Sequence, residues 1–344
     1  MKKFLFFVSS LAFGSILFIW VIKEIGWKEI ESVFHSFSLW KAFIILVLTF
    51  STALVKAWRW KIILKNQGYK ISAPEIFEYY LSGLTVSFLI PMVVMGGEIF
   101  RCYDLKERYS VPWTKSIASV IIDRVLEITV YSALIIIGVV FFIFRAGFPS
   151  GTTGIIIFSI IALAILGIIV FYFKSFKKES IIYFFLKGVS MENSGSADAA
   201  MEIENEIFKY FRPKQKIMWE GFGISALSGA FALIRTFFLI TFLGKTIGIT
   251  VASSVLGFSY LATIVPIPAA IGSHELVQSF VFGGLGLGAN TGAAFALTVR
   301  CAETVLALIG SIFFVKFGIQ IAESSLVRKI TSLFNIKGGY GGKK

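Results

Sequence analysis

The chain has 344 residues, 56% of them hydrophobic, and a mean hydropathy of +0.83. An ordinary soluble domain is only about 45–50% apolar, so this composition excludes one. The net charge of +13 comes from Lys and Arg that cluster in predicted loops and tails, which is typical of a membrane protein rather than a nucleic-acid-binding one. The two cysteines and two histidines lack the spacing of a disulfide framework or metal site, so we expect no metal and no cofactor.

Six segments are apolar enough and long enough to cross a bilayer, which takes about 20 residues per helix. In chain order these predicted spans are residues 4–22, 42–58, 116–144, 153–173, 217–242 and 291–317. The first resembles a signal peptide, but its apolar run is too long and no cleavage site follows it, so we expect an uncleaved helix. The sequence therefore predicts an all-α polytopic membrane protein.

Two further apolar segments, near 80–97 and 247–287, are interrupted by Pro and Gly. Proline removes a backbone donor, and glycine allows dihedral angles that other residues avoid. A broken helix at membrane depth is tolerated only where it is buried in protein or lines a watery cavity. The residues expected to shape these breaks are Pro91, Gly96, Gly97, Pro266, Pro268 and Gly272.

Basic residues concentrate at the N-terminus, in 56–70, in 174–216 and in the tail. The positive-inside rule then places both termini and both of these segments in the cytoplasm, as expected for a multi-pass protein of the cytoplasmic membrane. Two cytoplasmic segments must be separated by an even number of crossings, and two full spans already separate them. The first broken segment is therefore predicted to be a re-entrant hairpin, and the same parity makes the second a re-entrant hairpin from the outside.

The predicted organisation has four parts. They are a first membrane half (1–173), a cytoplasmic loop (174–216), a second membrane half (217–318) and a basic cytoplasmic tail (319–344). The cytoplasmic loop combines an amphipathic stretch, 181–186, with a stretch rich in Ser, Gly, Ala and Asn, 191–200, that we expect to be flexible.

The two broken segments carry the same spacing of residues. A proline lies seven residues before Glu98 and before Glu275, and Arg124 or Arg300 follows the glutamate 26 or 25 residues later. Each arginine begins an R-x-x-E pattern, whose two side chains share a helix face. Since the hairpins open from opposite sides, the spacing predicts an inverted-topology pseudo-repeat, which in many transporters places the binding site near the middle of the membrane.

Ionisable residues in apolar surroundings form the candidate substrate-binding site. They are Glu98, Arg101, Asp123, Arg124, Glu127, Glu275, Arg300 and Glu303. One structural alternative is that Glu98 and Arg101 cap a half-helix and bind each other. Another is that the charges near Asp123 form a neutralised cluster that joins two helices, because buried ions need partners in any case.

At these residues the chain resembles the lysylphosphatidylglycerol synthase/flippase transmembrane family, also called flippase-like domain proteins. The matching motifs are Pro91 with Gly97-Glu98-x-x-Arg101, Asp123-Arg124-x-x-Glu127, and Pro266-x-Pro268 with Gly272 and Glu275. The resemblance covers almost the whole chain and departs at Ala269-Ala270, where relatives often carry glycine. It implies movement of a polar-headed lipid between leaflets, and the aminoacyl transferase activity of relatives with a soluble C-terminal domain is expected to be absent.

Physical chemistry agrees with a lipid partner. A charged headgroup cannot cross hydrocarbon unaided, whereas helix-end N–H groups and arginines suit a phosphate. The alternative is an integral-membrane transferase acting on lipid carriers, although the sequence has no DxD metal motif and no Ser/His/Asp set. A structural membrane partner is a third class, and Arg235 with Glu220 fits a plain ion pair as well as a function. A homo-oligomer is compatible with the sequence, and a nucleic-acid partner is not expected.

Overall fold

The computed structural model describes residues 38–89, 96–147, 151–177, 179–180, 195–263 and 273–337. Every regular element in this part of the chain is an α-helix. The ten helices found there are α1 (Leu39–Asn66), α2 (Ala73–Leu89), α3 (Gly96–Tyr109), α4 (Trp113–Ala146), α5 (Gly151–Lys177), α6 (Gly195–Tyr210), α7 (Lys216–Phe242), α8 (Ile249–Ala262), α9 (Ser273–Gly284) and α10 (Ala289–Lys337). For α10, side chains are described as far as Phe317.

Four helices are long and apolar enough to cross a membrane: α1, α4, α7 and the Ala289–Phe317 part of α10. α1 and α7, with 28 and 27 residues, are about 40 Å long, which exceeds the roughly 30 Å hydrocarbon core. The predicted all-α membrane architecture is confirmed. The predicted span 4–22 lies outside the described residues, as do many side chains of α5, so six spans stay a prediction.

α2 begins where the sequence offers a capping box. The Ser72 hydroxyl donates to the Glu75 carboxylate at 2.6 Å, and the Glu75 N–H points back at the Ser72 hydroxyl oxygen at 3.4 Å. Pro74 fits this first turn because a helix leaves its first N–H groups without partners in any case. α2 ends at Leu89, just before the predicted break at Pro91, which lies outside the described residues.

At three places the structure has helix where polarity suggested a loop or tail. α1 runs eight residues past Trp58, since part of its basic end is paired inside the protein. α10 continues through 319–337, which was expected to be a tail. α6 begins at Gly195, inside the stretch 191–200 expected to be flexible, and packs an apolar face on α4. The predicted amphipathic stretch 181–186 lies outside the described residues.

Two pairs of antiparallel helices, α2–α3 and α8–α9, lie at the predicted hairpins, but the first pair extends beyond the predicted 80–97, because the charged stretch after residue 97 continues as α3 to Tyr109. At the start of α3, Gly97 donates its N–H to the Ser87 hydroxyl near the end of α2, and its Cα faces the Gly83 carbonyl group too closely for a larger residue. In the second half, Gln278 of α9 donates to the Ser259 hydroxyl of α8 at 2.7 Å. Each pair therefore returns to the end of the helix bundle from which it started.

The two pairs start from opposite ends of the bundle. α4 and α7 run in the same direction, because α1 is antiparallel to both. The α2–α3 pair leads into the start of α4, whereas the α8–α9 pair follows the end of α7. These directions agree with the inverted pseudo-repeat. Re-entrance itself stays a prediction, since the two turns, 90–95 and 264–272, lie outside the described residues.

The helix pair of each membrane half packs against helices of the other half. α4 packs along α8, α10 packs along α2, and α1 packs on α7 between them. Tyr131 of α4 stacks on Tyr260 of α8 with ring centroids 3.8 Å apart, and Thr85 of α2 donates to the Ala307 carbonyl oxygen of α10 at 2.8 Å. A movement of either pair must therefore alter the packing of the opposite half.

The contact between α4 and α8 depends on two glycines that face each other. A Cβ on Gly138 would lie 2.6 Å from the Ser253 carbonyl oxygen and 2.9 Å from the Cα of Gly257. Helices in membranes associate mainly through close van der Waals packing, which small residues permit. The approach of these two backbones therefore excludes even one additional methyl group.

We expect Gly138→Ala to destabilise the protein by about 1–3 kcal/mol, because the methyl group meets backbone atoms that cannot move aside. Gly223→Ala in α7 is the matched control, since nothing lies within 4 Å of its Cβ position. Better helix propensity should make that control neutral or about 0.5–1 kcal/mol more stable. Thermal unfolding in detergent measures both variants, and equal stability of the two would contradict the close contact.

Candidate functional site

The charged side chains predicted to form the site lie in two clusters. The α4 cluster joins α1, α3 and α4 and consists of Lys56, Arg59, Glu98, Arg101, Asp123, Arg124 and Glu127. With four cations and three anions, it carries one net positive charge. The α10 cluster joins α7, α9 and α10 and consists of Arg235, Glu275, Arg300 and Glu303. Its charges balance.

Asp123 is the buried centre of the α4 cluster. Its Oδ1 accepts a hydrogen bond from Nε of Arg59 at 2.7 Å, and its Oδ2 accepts from both terminal nitrogens of Arg101 at 3.1 Å. Arg59 also donates to the Ser225 hydroxyl of α7 at 3.0 Å. A carboxylate buried in this environment is costly unless cations compensate it, and here two guanidinium groups do so. Asp123 thereby ties α1, α3 and α4 together, and Arg59 extends the connection to α7.

Arg101 is fixed by aromatic rings as well as by charge. Its guanidinium carbon lies 3.9 Å from the centroid of a Trp60 ring and 5.2 Å from that of Tyr80. The Trp60 indole N–H donates to the Ser119 hydroxyl at 3.2 Å, which orients the indole. A desolvated cation–π contact contributes about 2 kcal/mol. Arg101 is therefore held in place on three sides, as suits an anchor rather than a ligand-seeking side chain.

Glu127 lies one turn after Asp123 and binds two further cations. Its Oε1 accepts from Lys56 Nζ at 2.6 Å and from the Tyr131 hydroxyl at 2.8 Å, and its Oε2 accepts from Nη1 of Arg124 at 2.7 Å. The Lys56 ammonium also donates to the Tyr131 oxygen at 2.6 Å. Arg124 and Glu127 thus form the pair that the R-x-x-E spacing predicted.

Arg124 is the most accessible cation of the α4 cluster. It donates to the Glu98 carboxylate from Nε at 2.5 Å and also from Nη2. Its side chain is 37% exposed, whereas the other three cations of the cluster are 17% exposed or less. Glu98 sits in the first turn of α3, where the helix dipole favours an anion. The alternative in which Glu98 and Arg101 bind each other is wrong, because each pairs with α4 instead.

In the α10 cluster the two glutamate side chains are more exposed at the protein surface than the two arginine side chains. Nε of the buried Arg300 lies 3.0 Å from Oε1 of Glu275. Nη1 of Arg235 lies 3.8 Å from Oε1 of Glu303 and donates to the Thr49 hydroxyl of α1 at 3.3 Å. The side chains of Glu275 and Glu303 are 28% and 43% exposed. The two clusters therefore present charges of opposite sign.

Tyr131 connects the α4 cluster to the second helix pair. Its hydroxyl contacts Glu127 and Lys56, and its ring stacks on Tyr260, close to the end of α8. The predicted break at 264–272 follows directly. Through this stack, a change of conformation at that break would also alter the position of Tyr131 and its contacts in the α4 cluster.

The structure divides the predicted site between the two clusters. Glu98, Arg101, Asp123, Arg124 and Glu127 come together in the α4 cluster, and Glu275, Arg300 and Glu303 in the α10 cluster. Among the residues predicted to shape the breaks, Gly96 and Gly97 begin α3. The remaining four, Pro91, Pro266, Pro268 and Gly272, lie outside the described residues.

The sequence interpretation missed Lys56 and Arg59, because they were assigned to a cytoplasmic basic segment. A signal was present, since the two share a helix face at i, i+3, directly at the end of an apolar run. The proposed pairing of Arg235 with Glu220 is wrong. These residues are fifteen positions apart in α7, about 22 Å along the axis, and Arg235 instead contacts α1 and α10.

The arrangement would allow Arg124 to exchange one anionic partner for another. In the described residues, no group of three His, Cys, Asp or Glu side chains is placed to hold a metal ion. Arg124 is bound by carboxylates on two helices. An incoming anion that replaced one of them would leave the arginine paired throughout, so the exchange avoids the cost of an isolated buried charge.

Comparison with known families matches residues 7–310 to the family described as "Lysylphosphatidylglycerol synthase TM region". The chain belongs to this family. The match includes every residue of both clusters. A similar curated protein is a UPF0104 membrane protein of Methanothermobacter thermautotrophicus, 19% identical over 315 residues that make up 88% of this chain and 93% of the relative. The resemblance inferred from the motifs is confirmed, and the chain is an integral membrane protein of this family.

We expect Asp123→Asn to destabilise the protein by about 3–5 kcal/mol, because it leaves the buried guanidinium groups of Arg59 and Arg101 without their carboxylate. Glu303→Gln is the control. Its carboxylate is partly exposed and 3.8 Å from Arg235, so its loss should cost less than about 1 kcal/mol. Thermal unfolding in detergent compares the two, and an Asp123→Asn variant as stable as wild type would contradict the central role of Asp123.

Proposed function

We propose that the protein carries lipids with phosphate-bearing polar headgroups from one leaflet of the membrane to the other. The observation that carries this proposal is the partly exposed Arg124, in a cluster with one net positive charge beside the start of α3. A charged headgroup crosses hydrocarbon only if its charge is compensated on the way. Arg124 supplies such compensation where it can be reached from outside the helices.

Binding a phosphate at Arg124 requires an exchange of partners. The guanidinium fork now binds Glu98 and Glu127, and it matches phosphate with the same two-pronged geometry. A phosphate in the place of Glu98 would also lie at the N-terminus of α3, where the helix dipole and N–H groups favour anions. The carboxylate of Glu98 thus acts as a placeholder for the headgroup.

The α10 cluster supports a second contact of opposite sign. Its exposed carboxylates, Glu275 and Glu303, suit an amine on the headgroup. Thr49 contacts the α10 cluster and Lys56 belongs to the α4 cluster, and they lie seven residues apart in α1, about 10 Å along its axis. A headgroup with both a phosphate and an amine fits this pattern, and the family's description names such a lipid, lysylphosphatidylglycerol.

The arrangement of the helix pairs supports alternating access. The two pairs start from opposite ends, and each packs on the opposite half. In transporters built from inverted repeats, one repeat rocks against the other around a site between them. Because the two halves here are coupled through α4 with α8 and α10 with α2, opening at one end favours closing at the other.

We further propose that the protein lies in the cytoplasmic membrane with both termini in the cytoplasm and with both helix pairs re-entrant. Charge supports this orientation. The end of the bundle where α1 meets α2 and α3 meets α4 carries Lys61, Lys65, Lys70, Lys106, Arg108 and Lys115. The opposite end carries three described basic residues, Lys41, Arg145 and Lys245.

Vesicles containing the protein should move headgroup-labelled phospholipids between leaflets faster than empty vesicles. Arg124→Gln should slow this movement by about tenfold or more, since a hydrogen bond to a charged group contributes about 1.5–3 kcal/mol. Glu98→Gln should also slow it, because without the competing carboxylate Arg124 releases a bound phosphate less readily. Arg145→Gln is the matched control, because Arg145 is an exposed arginine at the far end of the same helix. If both halves act in transport, Arg300→Ala should impair it as much as Arg124→Ala.

The outcomes separate the function from the site. If wild-type vesicles move lipids no faster than empty ones, with or without a proton gradient, the transport proposal is wrong and a transferase acting on lipid carriers becomes the better interpretation. If transport occurs and the Arg124 and Glu98 variants equal wild type, transport stands and the assigned site is wrong.

Labelling of single cysteines tests the topology. In a background with Cys102→Ser and Cys301→Ser, Ser110→Cys between α3 and α4 should react only with cytoplasmic reagent, and Thr246→Cys between α7 and α8 only with external reagent. Both positions are exposed. External labelling at position 110 would show that the first helix pair spans the membrane rather than re-entering it.

A further inference from the structure

Asp104 of α3 is a buried carboxyl group that neither cluster uses. It is 0% exposed, and neither of its oxygens has a hydrogen-bond partner among the described residues. Its neighbour Leu105 belongs to an apolar cluster with Tyr79 and Phe317. An unsatisfied buried carboxyl group in a native protein calls for an explanation, because such groups are rare and costly.

The position of Asp104 links it to the transport site. It follows Arg101 by three residues and Glu98 by six, so these three ionisable side chains lie on successive turns of α3. α3 has fourteen residues, six of them charged, and is not one of the membrane-spanning helices. A shift of α3 would therefore move Asp104 together with the contacts that Glu98 and Arg101 make to α4.

No charged side chain in the described residues pairs with the carboxyl group of Asp104. α3 itself carries Glu98, Arg101, Cys102, Tyr103, Lys106, Glu107, Arg108 and Tyr109, and the helices packed against it carry further charged and titratable groups, among them Glu75, Glu78, Tyr79 and Tyr80 of α2, Lys115, Asp123, Arg124 and Glu127 of α4, and Lys316 of α10. None of them donates a hydrogen bond to Asp104. Arg108 lies over the rings of Tyr79 and Phe317, at 5.5 and 4.3 Å. Burial raises the pKa of Asp104 to about 7, although the charge of Arg108 acts in the opposite direction.

We propose that Asp104 is a proton-binding site whose occupancy is coupled to the position of α3. With α3 packed against α2 and α4, the carboxyl group is neutral and holds the proton. When α3 moves and Asp104 meets water, its O–H bond breaks, the proton passes to water, and the carboxylate remains until repacking returns a proton. The role in transport rests on the proposed function: a proton gradient would bias the position of α3 and thereby the direction of lipid movement.

The proton itself can be observed without any transport assay. Difference infrared spectroscopy of the reconstituted full chain should show the C=O stretch of a protonated carboxyl group that titrates with a midpoint near pH 7. Asp104→Asn should remove this band, and Glu107→Gln, which removes an exposed carboxyl group from the same helix, should keep it. A band that survives in Asp104→Asn, or no band in wild type, overturns the proposal.

Stability provides a second readout. Burial raises the pKa of Asp104 above its ordinary value of 3.8. The stability that the protonated carboxyl group contributes to the fold is therefore fully present below pH 3.8 and is lost as the pH rises through about 7. The unfolding temperature of wild type should therefore fall between about pH 4 and pH 7 more steeply than that of Asp104→Asn. If Asp104→Asn does not fold, Asp104→Glu keeps a carboxyl group and should keep the infrared band with a shifted midpoint. Loss of the band in that folded variant counts against the proposal.

Transport under an imposed proton gradient tests the coupling. The rate of lipid movement by wild type should change when the gradient is reversed, whereas the rate of Asp104→Asn should be the same in both directions. If the wild-type rate does not depend on the gradient, the proposed coupling is wrong. If wild type moves no lipid, the proposed function fails, and the infrared titration still decides whether Asp104 binds a proton.

Discussion

A buried carboxylate needs cationic partners, and Asp123 takes them from two other helices, α1 and α3. The constraint is mutual, since Arg59 and Arg101 would be costly in this environment without Asp123. Arg59 adds α7 through Ser225, and Trp60 of α1 covers the guanidinium group of Arg101. The hydrophobic effect only weakly selects how apolar helices pair inside a bilayer, so this ionic centre, together with close backbone packing, specifies the relative positions of α1, α3, α4 and α7.

In the proposed mechanism, the ionic centre stays fixed while the more exposed ion pairs of each cluster exchange partners. Arg124 is bound by carboxylates from two helices, and the exposed carboxylates Glu275 and Glu303 lie beside arginines. A carrier must never leave such groups unpaired, because an isolated charge would make the unloaded protein too unstable to cycle. Internal ion pairs that a substrate can replace meet this requirement, and they would explain why the proposed lipid-binding site contains nearly as many anions as cations.

Sequence reasoning succeeded where a local pattern decides the structure. Long apolar runs predicted the spans because the bilayer demands them, and the R-x-x-E spacing predicted the pairing of Arg124 with Glu127 because both lie on one helix face. It failed where tertiary contacts decide. Arg59 was assigned to a polar segment because its partner on α4 is 64 residues away, and the contact of Glu303 with Arg235 of α7 has no signal in the local spacing. The polar helix α6 was missed because its stability comes from packing on α4 rather than from its composition.

In the proposed mechanism, α3 unites the functions that a coupled carrier needs. Glu98 at its start holds the accessible arginine, Arg101 one turn later holds the ionic centre, and Asp104 one turn further is the proposed proton site. A phosphate that displaced Glu98 from Arg124 would remove one of the two ionic contacts between α3 and α4. α3 could then pivot on the remaining one, since Arg101 is held by Asp123 and by Trp60. Headgroup binding at one end of a short helix would in this way control access of water to a carboxyl group two turns away, with no separate signal between the two sites.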